Sequence, residues 1–455
     1  MTVAPDPGAV ATADRVPAPD LARGGMLLLI ALANVHVYVY GLPAGPRSYP
    51  RELSGVDAAI AAVQIMLVDG RAYPLFALLF GYGIWQLTAR RTAAGRPSEA
   101  VVHLVRRRGW WMVLIGFLHA LLLWAGDIVG AYGLTAVLFA GLLVAGSDRA
   151  LVRTAVIGTA VSALALTGAA LPPPPGTDAA LPSMAIESVA VAAAVRLGEW
   201  LAIGLVLSVL IVFGAVALGA LAARHRILDE PQRHRTLLVR LAVAGITIGV
   251  IGGLPLALMV AAGRDPGLEW LLLAGALHGL SGYAGAIGYA AVFGLVAAGL
   301  AVRTTRPART GGPRSGTGRE FRGPGSAGGA HGASRAGAAG WTGGAGGTGS
   351  AGGAHGADGA GTAAGPAAGP AWARALQACG QRSLSCYLAQ SVAFVALLPA
   401  WTLGLGDQLP LWAAALVAAG VWLVILLIAD VSARRGIRGP AEVLLRRLTY
   451  GPSRP

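Results

Sequence analysis

Apolar tracts of about twenty residues recur between residues 24 and 429, parted by short segments that hold nearly all the charge. Crossing a hydrocarbon core roughly 30 Å thick takes a helix of about that length, so each tract predicts a membrane span. The first follows Arg23 and reads GGMLLLIALANVHVYVYG, with Asn34 and His36 in its second half. Pro43, Pro46 and Pro50 forbid a regular helix in the segment after it. Residues 56–68 are apolar but short, which suits a helix at the outer surface or part of a broken span. Asp69, Gly70 and Arg71 then precede a full span, AYPLFALLFGYGIWQLTA. The next opens with Arg106, Arg107 and Arg108, continues through Trp110 and Trp111, and runs apolar past His119 to Gly126 and Asp127. Cations, then an aromatic pair, then an apolar run is how a helix enters a bilayer from the cytoplasm.

Further spans are expected at 128–145, up to the prolines at 172–175, at 200–223, at 241–262 with a bend at Pro255, up to Val302, and at 383–401 and 411–429. Residues 90–108 carry six arginines and a single acid, Glu99, and further arginines cluster at 147–153, 224–240 and 434–447. Placing all of these on one side predicts an all-α polytopic transmembrane bundle of about ten spans, with both termini in the cytoplasm. The domain reading is a disordered cytoplasmic tail at 1–22, spans one to eight at 23–302, a linker at 303–371, and the last two spans with a basic tail at 372–455. Glycine, alanine, serine and arginine dominate the linker, which has almost no large apolar side chain to bury, so it is expected to be disordered.

Composition sharpens this. Of 455 residues, 55% are hydrophobic and 12% charged, and mean hydropathy is +0.64. A soluble domain carries roughly 25% charged residues. The net charge of +14 comes from arginine alone, for no lysine occurs. These arginines flank apolar spans, so they are read as orienting the chain and meeting anionic lipid, with no nucleic acid expected. Arginine in place of every lysine, with heavy alanine, glycine and proline use, suits a GC-rich bacterial genome, so the expected location is a bacterial plasma membrane crossed many times, with the bilayer as first partner. Lysine-dependent phosphate loops are excluded. The glycine pattern at 347–352 has no strand before it and is not a dinucleotide loop. Cys379 and Cys386 lie seven residues apart, too far along one helix for a disulfide. No metal ligand set stands out.

What remains is polar chemistry at membrane depth, where an unpaired charge is costly. His119, expected some two turns before Asp127 on the same helix, is either a neutral histidine bonded to a neighbouring helix or a general base. Asp69 and Arg71 read as a salt bridge at the start of a span. His278, Tyr283 and Gln390 are expected to hydrogen-bond between helices, and Gly81, Gly83, Gly279, Gly282 and Gly285 to mark close packing.

Several pieces resemble the bacterial YeiB family, domain of unknown function 418. They are Asp20-Leu-Ala-Arg23-Gly24 with Asn34, Asp69-Gly70-Arg71 leading to LFGYG at 79–83, GFLHA at 116–120 through Gly126-Asp127-Ile128, GQRSLSCYLAQS at 380–391, and Arg438-Gly-Pro-Ala-Glu442. That resemblance implies a fold and no settled activity. The first span is also similar to that of transmembrane acyltransferases, in which a histidine follows an arginine eleven positions on. Here Asn34 follows Arg23 at that spacing, and His36 comes two residues later. Asparagine cannot accept a proton at neutral pH, so the base expected for acyl transfer is His119 or His36. In that scheme Arg106, Arg107 and Arg108 hold the phosphates of acyl-coenzyme A as co-substrate, with no resident cofactor. The acceptor is a hydroxyl on an envelope glycan or lipid. The candidate site residues are thus His119, Asp127, Arg23, Asn34, His36, Asp69 and Arg71. Two other readings stand beside it: a proton-coupled transporter using the same ionisable groups, and a non-catalytic scaffold whose linker recruits a partner.

Overall fold

The computed structural model describes residues 17–53, 55–174, 176–263, 267–305 and 369–451. Among them every regular element is helical, and extended pairing is limited to two isolated bridges. The helices are α1 (Pro17–Val35), α2 (Gly55–Leu67), α3 (Ala72–Ala93), α4 (Ser98–Leu122), α5 (Val129–Ala145), α6 (Asp148–Ala169) and α7 (Val189–Glu199). After them come α8 (Ser208–Arg224), α9 (Arg235–Ala261), α10 (Leu268–Thr305), α11 (Ala371–Gln381), α12 (Ser383–Leu397), α13 (Leu411–Arg434) and α14 (Pro440–Tyr450). A π-helical stretch, Trp200–Leu207, joins α7 to α8. Residues 1–16 and 306–368, which hold most of the expected tail and linker, lie outside the described residues.

Among the described residues seven helical tracts are long and apolar enough to cross a membrane, and Val129–Ala145 and Ser383–Leu397 are shorter apolar helices. The tract Gly55–Ala93 counts once although Gly70, at φ +74°, breaks it. Helix α4 is not among the seven. Its charge-free part is only 109–122, short of the roughly twenty residues a span needs. Large apolar side chains such as Leu122, Val156, Leu164 and Leu254 are exposed on the helices, where a soluble protein would place polar groups. These features mark a multi-pass membrane protein.

Helix α1 and the Gly55–Ala93 tract are the most enclosed elements of the seven, each with 67% of its apolar stretch buried, against 28% for α6 and α13. Helix α1 starts at Pro17, inside the 1–22 stretch read as an unstructured tail. Proline is tolerated in a first helical turn, and Ala18, Leu21 and Ala22 are wholly buried where α11 packs on α1. Close approach of neighbouring helices runs through glycine. A side chain at Gly81 would collide with the Val216 carbonyl of α8, one at Gly219 with the Leu78 carbonyl of α3, and one at Gly282 with the Gly70 carbonyl. Gly83, Gly279 and Gly285 likewise face neighbouring segments at short range, as read from the sequence.

The connections sort into two ends. At one, the Arg91 guanidinium lies over the Tyr450 ring at 5.1 Å, Arg224 donates to the Gly146 carbonyl at 2.7 Å, Gln232 to Ala298 at 2.7 Å, and Arg382 to Ile437 at 3.1 Å. The arginine-rich turns therefore share one end. At the other, the Gly41 amide donates to Asp178 at 2.8 Å, the Tyr40 amide to Gly406 at 3.1 Å, and the Trp412 amide to the Asp57 carboxylate at 2.8 Å. Arg47 and Arg51 belong to this second end.

Candidate functional site

A cavity of about 740 Å³ opens among the arginine-rich turns, between the start of α1, α3 from Phe76 onward, α4, α5, the end of α8, the α11–α12 junction and α14. Arg23, Arg90, Arg108 and Arg224 stand in its wall, and Phe76, Phe80, Tyr132 and Tyr387 form its apolar part. Phe76 and Phe80 stack on Tyr132 with centroids 5.1 and 5.4 Å away. Arg23 is held by Asp20 at 3.2 Å and by the Leu79 carbonyl at 3.1 Å. The Arg224 guanidinium lies 4.2 Å from the Trp85 ring centroid and 2.9 Å from Asp148. Cationic walls above an aromatic floor suit a ligand with anionic and apolar parts. Of the three arginines opening the third predicted span, Arg108 lines this basin, while Arg106 and Arg107 are exposed on other faces of α4. Successive residues on a helix point about 100° apart, so three in a row cannot share one wall.

Behind the floor lies a buried acid–imidazole pair. His119 Nδ1 is 3.0 Å from Asp127 Oδ1, and both side chains are essentially inaccessible. Asp127 stands beyond the end of α4 rather than on the same helix as His119, and it also accepts from the amides of Val129 at 3.1 Å and Gly130 at 2.6 Å, capping α5. Gly116 leaves room for this carboxylate, because a side chain there would strike Asp127 Oδ2. The His119 ring sits 5.2 Å from that of Tyr387, tilted by 47°. Since Tyr387 borders the basin, one aromatic ring separates cavity from pair.

A second ionic cluster occupies the α2–α3 break. Asp69 accepts both Arg47 Nε and Nη2 at 2.7 Å. Arg71 donates to the Asp69 backbone carbonyl at 2.6 Å and approaches His278 Nδ1 at 2.9 Å, and it also bonds the Gly249 carbonyl. His278 Nε2 is 3.8 Å from Asp69 Oδ2. The salt bridge expected between Asp69 and Arg71 is therefore replaced by one to Arg47. Gly70 swings the two side chains apart, and the Arg47 backbone, at φ +59°, brings its guanidinium back from the α1–α2 connection. Burial alone would lower the Arg47 pKa, but the Asp69 carboxylate outweighs it and holds the group above its ordinary value.

The residues read from the first span are dispersed. Arg23 faces the basin. Asn34 accepts from the Tyr73 hydroxyl at 2.5 Å, and His36 stacks on Tyr49 at 4.2 Å, near the Asp69 cluster. Eleven residues of helix span roughly 16 Å, so Arg23 and Asn34 cannot address one reacting atom. Gln390 donates to the Leu27 carbonyl at 3.1 Å and Tyr283 to Ile211 at 2.6 Å, the helix-to-helix bonds the sequence suggested. Cys379 and Cys386 are buried free thiols. Sequence reasoning missed Arg90 and Arg224 in the basin wall and Glu442, whose carboxylate accepts from the Leu384 and Ser385 amides at 2.8 and 3.2 Å. Arginine-rich turns were visible in the sequence; which members turn inward was not.

Fold and site together define a multi-pass helical membrane protein with a basic cavity at one end and buried ionic pairs within. The chain matches the family described as "Protein of unknown function (DUF418)" over residues 222–315 and 360–452. It is 36% identical over 118 residues to "Uncharacterized protein YeiB" of Escherichia coli (strain K12), covering 25% of this chain and 28% of that protein. To "Uncharacterized protein YxaH" of Bacillus subtilis (strain 168) it is 24% identical over 266 residues, covering 52% of this chain and 65% of that one. The chain thus spans less than two thirds of the length of each of these relatives. These matches support a YeiB-like, DUF418 family for the chain.

Proposed function

We propose that this is a bacterial plasma-membrane enzyme that moves an acyl group from a phosphate-bearing donor to a hydroxyl acceptor of the cell envelope. In this reading the arginine-rich end and both termini are cytoplasmic, and the chain crosses the bilayer about ten times, counting α4, α5 and α12 with the longer helices. The observation that carries it is the buried His119–Asp127 pair, 3.0 Å apart, one ring behind an arginine-lined basin. Arg23, Arg90 and Arg108 hold the phosphates of an acyl-coenzyme A, and the aromatic floor receives its apolar part. His119 takes the proton of the acceptor hydroxyl as its oxygen attacks the thioester carbonyl; the thiolate leaves and is reprotonated. Asp127 holds the imidazole in place and balances the charge it gains.

The test is transfer or hydrolysis of radiolabelled acyl-coenzyme A by the purified protein. Loss of at least 100-fold is expected in His119→Ala and Asp127→Asn; no turnover with short, medium and long acyl chains would sink the proposal. A second reading, proton-coupled transport, draws on the Asp69–Arg47–His278 cluster between α2, α9 and α10. It requires proton flux in proteoliposomes that Asp69→Asn abolishes and His119→Ala leaves intact.

A further inference from the structure

Arg196, near the end of α7, is 1% exposed and has no acid closed upon it. Its Nη2 donates to the Leu121 carbonyl at 3.0 Å, two residues past His119, and its guanidinium carbon lies 4.5 Å from the Trp401 ring centroid. Among the described residues its Nε and Nη1 find no acceptor. Glu199 is within electrostatic reach, but both its oxygens are taken, by the Ser183 amide at 2.9 Å and hydroxyl at 2.6 Å. Tyr38 is also within reach of Arg196 and stacks on Trp124 at 4.2 Å. The indole N–H groups of Trp124 and Trp401 have no acceptor among the described residues either. The open groups here, two guanidinium nitrogens and two indole N–H groups, are all donors. The place is also away from the basin's arginine turns: the neighbouring Ala400 amide bonds Met184, in the connections of the opposite end.

A buried guanidinium retained only for packing is a costly choice, since an apolar chain of similar length would fill the same space without desolvation. Unpaired donors around a buried cation are the complement of an anion, bound bidentately by the guanidinium fork and flanked by indole N–H groups. We infer that Arg196, with Trp124 and Trp401, is a second binding site, for a carboxylate or phosphate group reached from the end opposite the basin. The inference stands apart from acyl transfer, because it requires no reaction.

Two tryptophans at the site make its occupancy visible. The purified full-length protein in neutral detergent is titrated with inorganic phosphate and with acetate, and in phosphatidylcholine nanodiscs with increasing phosphatidylglycerol, while tryptophan emission is followed. A saturable change in either arm is expected; the first arm identifies a free anion and the second a lipid headgroup. Trp85 lines the basin and reports phosphate there, so the response that survives in Arg108→Ala is the one assigned to Arg196: adding Arg196→Met should abolish it, and Arg196→Lys should weaken it at least tenfold because a point charge cannot replace the fork. Should Arg196→Met fail to fold, Trp401→Phe serves in its place, with a reduced response expected. No saturable response in the wild-type protein, no response surviving in Arg108→Ala, or a surviving response that Arg196→Met leaves whole overturns the inference.

Discussion

Asp127 does two things with one carboxylate, and substitutions separate them. Both oxygens cap α5, Oδ1 accepting from Val129 and Oδ2 from Gly130; asparagine keeps one of them and loses the charge that faces His119, so Asp127→Asn should keep part of the cap's stability while losing activity. Asp127→Ala removes the rest of the cap as well and should cost about 1–2 kcal/mol of stability, read from thermal unfolding in detergent. Asp69 and Arg47 obey a different rule, because they form a buried two-point ion pair at the α2–α3 break. Asp69→Asn leaves the guanidinium short of an anion and should cost about 3–5 kcal/mol, whereas the double variant Arg47→Met/Asp69→Leu should recover most of that loss. A single variant as stable as wild type would show that the pair is dispensable. That Asp69 mattered could be read from its place beside an apolar run. Its partner could not, since Arg47 lies twenty-two positions away and only the turn of the chain brings it back.

At the level of helices, packing is decided by where side chains are missing. Gly81 and Gly219 let α3 and α8 touch backbone to backbone, so Gly81→Val should force them apart at a cost of about 1–3 kcal/mol. Gly141 has open space around its Cα, and Gly141→Ala is the matched control, expected to unfold no earlier than wild type. Both are measured by the midpoint of thermal unfolding at fixed detergent. The glycines were legible as packing points, but their partners depend on which helices become neighbours. The α4–α5 hairpin shows the limit of reading spans by length: its two helices pack on each other through Gly109 and Gly133, and part of α4 rises among arginines.

Across the whole molecule, the gathering of arginine-rich turns at one end makes a topological prediction that chemistry can check. Cys379 and Cys386 are buried, so the background for thiol labelling in intact cells is low. Leu42→Cys and Leu403→Cys, both exposed at the opposite end, should react with a membrane-impermeant maleimide, and Arg96→Cys should react only after the membrane is opened. Labelling of Arg96→Cys in sealed cells would reverse the orientation and with it the assignment of the basin to the cytoplasm.

Apolar tracts bounded by arginine are a local property, and insertion into a bilayer depends on local hydropathy and flanking charge. The chain therefore announces a helical membrane protein before any contact is known. Which polar groups meet is a long-range matter. Arg23 and Asn34 share a helix yet serve different places, whereas Arg47 meets Asp69 and Tyr387 meets His119 across long stretches of sequence. Those encounters depend on how glycine-paired helices settle against one another, and no spacing along the chain encodes that.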